Sequence, residues 1–388
     1  MSASSRASTV VLLVTASTAI GAFLRWPHAV HQPPQPSPKN AAAIELAQSA
    51  LTCPALREAP APRVLDGVAS ECPVIEEVKA ALKKEDTAIT EQELVKLRTS
   101  VEQAVATRPA ACVSALALLL EKTTACDLIF DAVAIRILNG KSVSPAMAAG
   151  ALLRPSTCQW KLVSALREAE RADPTIIAAV ASLTTSADED VRGSSWLILG
   201  TLERIAREKQ QNELVSCVDD LLATKIANRT DHERFIYVRA AGNAGCEKCR
   251  PSLVEDVNST DADVRRESIT SFRFLSTKAD VDVLCKTLAT DKQKEVRESA
   301  AFALRQRDTF LEQRLGCLFE AAVRDEAASV ANNAVLSINE FAANSKVALG
   351  TLVQVAKHSH HESIRKQTTS SLRAYASEDA IRDVMKAP

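Results

Sequence analysis

The residues best suited to chemistry are the ten cysteines of this 388-residue chain. Cys246-Glu247-Lys248-Cys249 has the Cys-x-x-Cys spacing that serves both redox motifs and zinc sites. A zinc site of that kind needs a second pair at similar spacing, and a redox motif needs a strand-helix context; the sequence offers neither. Cys246 and Cys249 are therefore read as a structural disulfide or paired thiols in a turn. Cys53 and Cys72 bracket a Pro-rich patch that a bridge between them would staple. Cys112 with Cys126 would tie two successive helices. Cys285 and Cys317 hold equivalent positions, as small buried residues or a stacked pair. Spacing does not dictate the connectivity.

His358, His360 and His361 form a cluster beside Glu362 that could in principle receive a cation. A solvated helix-helix turn is the simpler reading. Asn228-Arg229-Thr230 and Asn258-Ser259-Thr260 are glycosylation sequons, which matter only in a eukaryotic secretory pathway. The sequence holds no nucleophile elbow, phosphate-cradling Gly loop, dinucleotide fingerprint or His-Glu-x-x-His helix. No catalytic residue, metal ligand or cofactor is nominated, and the chain is expected to be a non-enzyme.

Composition says what elements must carry these groups. Hydrophobic residues make up 46%, aromatics only 4%, and Gly numbers ten. Apolar content dominated by Ala, Leu and Val suits close helix packing, whereas strand-rich folds call for more Gly, aromatic and β-branched residues. With 47 Lys+Arg against 48 Asp+Glu there is no global field for a polyanion, so no nucleic acid is expected.

Residues 1–25 read as a signal peptide or signal anchor. Eighteen uncharged residues lie between Arg6 and Arg25, apolar at Val10 to Val14 and Ala19 to Leu24, without a convincing small-x-small cleavage site. Residues 26–73 form a Pro-rich linker and irregular lead-in, in which Pro33, Pro34, Pro36 and Pro38 favour extended backbone. An even cysteine count agrees with export into an oxidising compartment, periplasmic or extracellular, with the chain tethered to the membrane.

From about residue 173 to 388 the chain repeats a unit. An apolar helix leads to a turn with an acid, then Val or Ile with Arg, then an Ala/Ser-rich second helix. The second helices begin at Asp190-Val191-Arg192, Asp263-Val264-Arg265, Glu295-Val296-Arg297, Ser329-Val330-Ala331 and Ser363-Ile364-Arg365. Val264 to Val296 spans 32 residues, and Val296 to Val330 and Val330 to Ile364 span 34 each. An intervening unit lies at His232 to Gly245, where Arg239-Ala240-Ala241-Gly242 matches Leu197-Ile198-Leu199-Gly200. First helices precede each, as at Asp280 to Ala289 and Phe310 to Val323. Helices at Val74–Lys84, Glu91–Ala106, Ala110–Glu121, Cys126–Leu138 and Gln159–Ala172 extend the series, so residues 74–172 are divergent repeats. Thr90 with Glu93 offers a capping box and Asn139-Gly140 a helix stop.

The Asp-Val-Arg turns with their Ala-rich second helices resemble HEAT-like, armadillo-type repeats over about residues 173–376. The resemblance implies an all-α fold, a right-handed α-α superhelix or solenoid. It also implies that Asp190 with Arg192, Asp263 with Arg265 and Glu295 with Arg297 form a ladder of charge pairs between layers, with Arg365 in the same register. Trp196 to Gly200, followed by Arg239 to Gly245, is similar to the helical domain of vitellogenin-type lipid transfer proteins, which implies lipid or hydrophobic-ligand carriage. Some HEAT-like proteins resemble chromophore lyases, a third expectation. The leading expectation is a protein-protein interaction scaffold at a membrane surface, which binds a protein or peptide on the concave face lined by second helices.

Overall fold

A computed structural model describes Cys53 and residues 72–84, 89–124, 126, 128–228, 233–306 and 309–375. The chain divides into two units, Met1–Ala42 and Ala43–Pro388, and the described residues belong to the second. The targeting segment and the linker, apart from Cys53, Cys72 and Pro73, lie outside the described residues. Among the described residues there is no strand, and no helix is long and apolar enough to cross a membrane.

Eighteen α-helices are described. The first six are α1 (Ile75–Ala81), α2 (Glu91–Thr107), α3 (Pro109–Glu121), α4 (Leu128–Asn139), α5 (Pro145–Leu152) and α6 (Gln159–Ser164). Six first-and-second pairs follow: α7 (Pro174–Leu183) with α8 (Glu189–Glu208), α9 (Asn212–Ala227) with α10 (Arg234–Ala244), and α11 (Arg250–Asp256) with α12 (Ala262–Ser271). The last are α13 (Lys278–Thr290) with α14 (Lys294–Arg305), α15 (Leu311–Arg324) with α16 (Ala328–Ala342), and α17 (Lys346–His358) with α18 (Glu362–Leu372).

Within each pair the helices pack on one another, and second helices pack on second helices: α8 on α10, α10 on α12, α12 on α14, α14 on α16 and α16 on α18. First helices do the same in their own layer, α13 on α15 and α15 on α17. The outcome is a two-layer α-solenoid with one continuous apolar core from Cys72 to Leu372. No single pair could bury its apolar face alone, so stacking supplies the stability.

Local signals start and stop the helices. Thr90 closes a capping box with Glu93 at the start of α2. Asp188 accepts the backbone N–H groups of Asp190 and Val191, and Asp261 that of Asp263, so the acid that caps each of these helices stands two residues before the Asp of the motif. Gly245, at φ +67°, ends α10 in the left-handed conformation that glycine adopts without strain. Helix α5 was not anticipated. Its signature is present in the sequence nonetheless: Ser144 caps the Met147 N–H and Pro145 occupies the first turn.

Two glycines let second helices touch. A Cβ on Gly200 would stand 2.1 Å from the Ala240 carbonyl oxygen, and one on Gly242 would stand 2.7 Å from the Ser271 Cα. Their shared position in α8 and α10 brings α8 onto α10 and α10 onto α12 at backbone contact distance.

Candidate binding surface on the second helices

The turn arginines build the frame. Arg265 Nε and Nη2 donate to the two carboxylate oxygens of Asp291 at 2.7 and 3.0 Å, and Arg297 does the same to Asp325 at 2.7 and 2.8 Å. Arg192 Nε donates to Glu233 at 2.7 Å. Each arginine also caps its own preceding turn through Nη1: Arg192 to the Ser186 carbonyl, Arg265 to Ser259, Arg297 to Asp291 and Arg365 to Ser359, at 2.6, 3.0, 2.9 and 2.5 Å. One side chain thus closes a turn within its repeat and grips the acid in the next. Burial pushes the Asp291 carboxyl up, but the Arg265 hydrogen bonds, the Gln293 N–H and the charges of Arg265 and Arg297 outweigh it and hold the group below its ordinary value.

This corrects the pairing expected within each motif. Asp190 is exposed and does not meet Arg192; Asp263 pairs with Arg266 at 2.9 Å; Glu295 lies 3.9 Å from Lys294. The physical reason is helical geometry. Residues two apart point to different sides of a helix, so the arginine reaches across the layer instead. Arg234 was also missed. It donates to the Ile226 carbonyl at 3.0 Å and pairs with the buried Asp256 of the following first helix. Superposing Gly242 on Gly200 would have placed Arg234 on Arg192.

All ten cysteines are paired. Cys246 bonds Cys249 in the buried turn after α10. Cys53 joins Cys217 on α9 rather than Cys72, and Cys112 joins Cys72 rather than Cys126, which pairs with Cys158. The bridge of Cys285 to Cys317 links α13 to α15. Apart from the turn pair and the long-range Cys53 bridge, each links matching positions of helices two apart in the chain, N-terminal ends for Cys72–Cys112 and Cys126–Cys158 and mid-helix for Cys285–Cys317. Such positions are neighbours in one layer, whereas closeness in sequence joins opposite ends of an antiparallel pair.

The histidines close a turn. His360 Nδ1 contacts the Val323 carbonyl at 2.7 Å and His361 Nε2 the Asp325 carbonyl at 2.9 Å. Among the described residues no group of three or more His, Cys, Asp or Glu is arranged to hold a metal ion.

The surface of α8, α10 and α12 carries a different set of arginines. Arg239 on α10 makes a bidentate pair with Glu267 on α12, at 2.7 and 2.8 Å. Arg273, in the 3-10 turn Phe272–Phe274 that extends α12, donates to the Thr270 carbonyl at 2.9 Å and to Asn243 Oδ1. Asn243 in turn donates to the Leu197 carbonyl of α8 at 3.1 Å. Arg204 of α8 lies 4.9 Å and Arg273 5.4 Å from the centroid of the Phe274 ring, so two guanidinium groups approach one aromatic ring. Burial, opposed by Glu267 and reinforced by the charges of Arg204 and Arg239, brings the Arg273 pKa down to about 10. Arg273 is still a cation at neutral pH.

Beneath this surface lies a buried acid pair. Arg207 donates to Glu203 at 2.6 Å and to both Asp219 oxygens at 3.0 and 3.1 Å. Burial, then the neighbouring Asp219, pushes the fully buried Glu203 carboxyl well above its ordinary value, with Arg207 opposing.

Residues 221–305 match the family described as HEAT repeats. Among solved structures the chain is similar to the crystal structure of an engineered protein at 14% identity and a TM-score of 0.37, over 80% of this chain and 97% of that one. It is also similar to human deoxyhypusine hydroxylase in complex with glycerol at 18% identity and a TM-score of 0.28, over 70% and 96% of the respective chains. Among curated proteins none matches.

Proposed function

We propose that this HEAT-like solenoid is a non-enzymatic scaffold that binds a protein partner along the face lined by its second helices. HEAT repeats generally mediate protein-protein interaction, and their stacked helices present a long continuous surface. The observation that carries the reading is the α8, α10 and α12 surface, where Arg204, Arg239, Asn243 and Arg266 stand part-exposed on a frame fixed by glycine contacts and ion pairs. A polar, charged face favours a protein partner over lipid, which would call for a broad apolar surface. Five disulfides support an oxidising compartment and hence an exported chain, tethered to a membrane by its N-terminal segment.

Lipid or hydrophobic-ligand carriage is the second reading, and it rests on the register of Gly200 and Gly242 that first suggested it. Native mass spectrometry of the full chain from its host, under non-reducing conditions, separates the two. A protein adduct with all cysteines oxidised supports the scaffold; stoichiometric lipid without a protein partner overturns it.

A further inference from the structure

We propose that Arg273 and Arg204 together bind a carboxylate of an acidic segment of the partner protein; this deepens the scaffold reading and rests on it. The geometry has three parts. First, among the described residues Arg273 has no carboxylate within ion-pair distance, although its guanidinium is half-buried; it donates instead to the neutral Thr270 carbonyl and Asn243 amide. Every turn arginine on the ladder that meets the next repeat does so through an acid. Second, the site is built to hold this group. A Cβ on Gly242 would stand 2.9 Å from Arg273 Nη1, so the glycine that allows α10 to meet α12 also seats the guanidinium. Third, Arg204 faces the same ring from α8, a second cation where mutual repulsion disfavours one.

Two cations held together without an acid between them are complementary to an anion. Arg204 is free to contribute, because its partner Glu208 is a surface i,i+4 acid, 58% exposed, and such pairs are weak. The surroundings select the class of anion. Glu208 pairs with Arg204, Glu267 lies near Arg273, and the whole chain carries a formal charge of −1, so an extended polyanion would be repelled at the rim. A single carboxylate or a short acidic stretch fits, with the half-buried Phe274 ring beside it for an apolar neighbour.

The test is fluorescence anisotropy of a fluorescein-labelled oligoglutamate peptide titrated with the full chain. We expect binding that weakens with added salt, falls about tenfold or more in both Arg273→Gln and Arg204→Gln, and is unchanged in Lys286→Gln on the first-helix layer. Circular dichroism verifies the fold, and Arg204, one-third exposed, serves if Arg273→Gln does not fold. Equal binding by the wild type and Arg204→Gln would overturn the proposal, as would a phosphoserine peptide of the same length that binds about a hundredfold more tightly than oligoglutamate. Crosslinking in the host separates this from the scaffold reading. A partner captured on the second-helix face equally by wild type and both variants overturns the carboxylate site alone. Arginine-dependent oligoglutamate binding, with no partner protein captured on that face, supports the site and overturns the scaffold.

Discussion

His361 Nε2 stands 2.9 Å from the Asp325 carbonyl oxygen, and so does in trans what the turn arginines do for their own repeats. In the other turns that acceptor, six residues before the motif position, is met by Arg192, Arg265, Arg297 or Arg365. At position 331 the residue is Ala, and a histidine from the next repeat supplies the contact. The cluster that looked like a cation site on paper is a substitute turn clamp. His361→Ala should lower stability by about 1 kcal/mol, the net worth of one hydrogen bond. Adding Ala331→Arg to that variant should restore most of the loss. Thermal melts of the single and double variants check this, and additive destabilisation would refute it.

The inter-repeat pairs should matter more than surface ion pairs. Arg297 and Asp325 are 14% and 7% exposed and make two parallel hydrogen bonds. Arg297→Ala leaves Asp325 without its partner and the Asp291 carbonyl without its clamp, so a loss of about 3 kcal/mol is expected. Urea denaturation of the variant measures it.

Two opposing pH dependences are built into the solenoid. Asp291 and Glu267 have carboxyls held below their ordinary values, so their contribution is present above the unfolded pKa and is lost as pH falls through the folded one. Glu203 is raised, so its contribution is complete below its unfolded pKa and is lost as pH rises through the folded one. Glu203→Gln imitates the protonated carboxyl and still accepts from Arg207. We expect its melting temperature to match the wild type near pH 4 and to exceed it at pH 8. A constant offset across that range would contradict the assignment.

Glycine at the second-helix contacts is required by space. Gly242→Val must push α10 off the Ser271 backbone, which should cost about 2 kcal/mol or more. Gly316, with nothing within 4 Å of a built Cβ, should accept alanine at no cost or with a small gain. Melting temperatures of the two variants make the comparison.

Much of this architecture was legible because a solenoid writes its period into the chain. Val191, Val264, Val296, Val330 and Ile364 mark second helices directly, and Thr90 with Glu93 marks a helix start. The partners were not legible. A motif shows which residues recur, but Arg297 meets Asp325 across a layer whose stacking offset no single unit contains. Arg234 was hidden because the loop before α10 disturbs the spacing, and Arg273 because it sits in a 3-10 turn past the regular helix. The expected pairs Cys53 with Cys72 and Cys112 with Cys126 failed for a related cause: Cys112 faces Cys72 along its own layer, not its sequence neighbour Cys126.

The central claim is that the second-helix face binds a protein. The most direct measurement places a photo-activated crosslinking residue at Asn243 or Thr270 on that face, and at Lys286 or Glu320 on the first-helix layer, in the full chain expressed in its host. The account predicts a discrete protein adduct from positions 243 and 270 and none from 286 and 320. Adducts from 286 and 320 alone, or lipid adducts alone from 243 and 270, would contradict it.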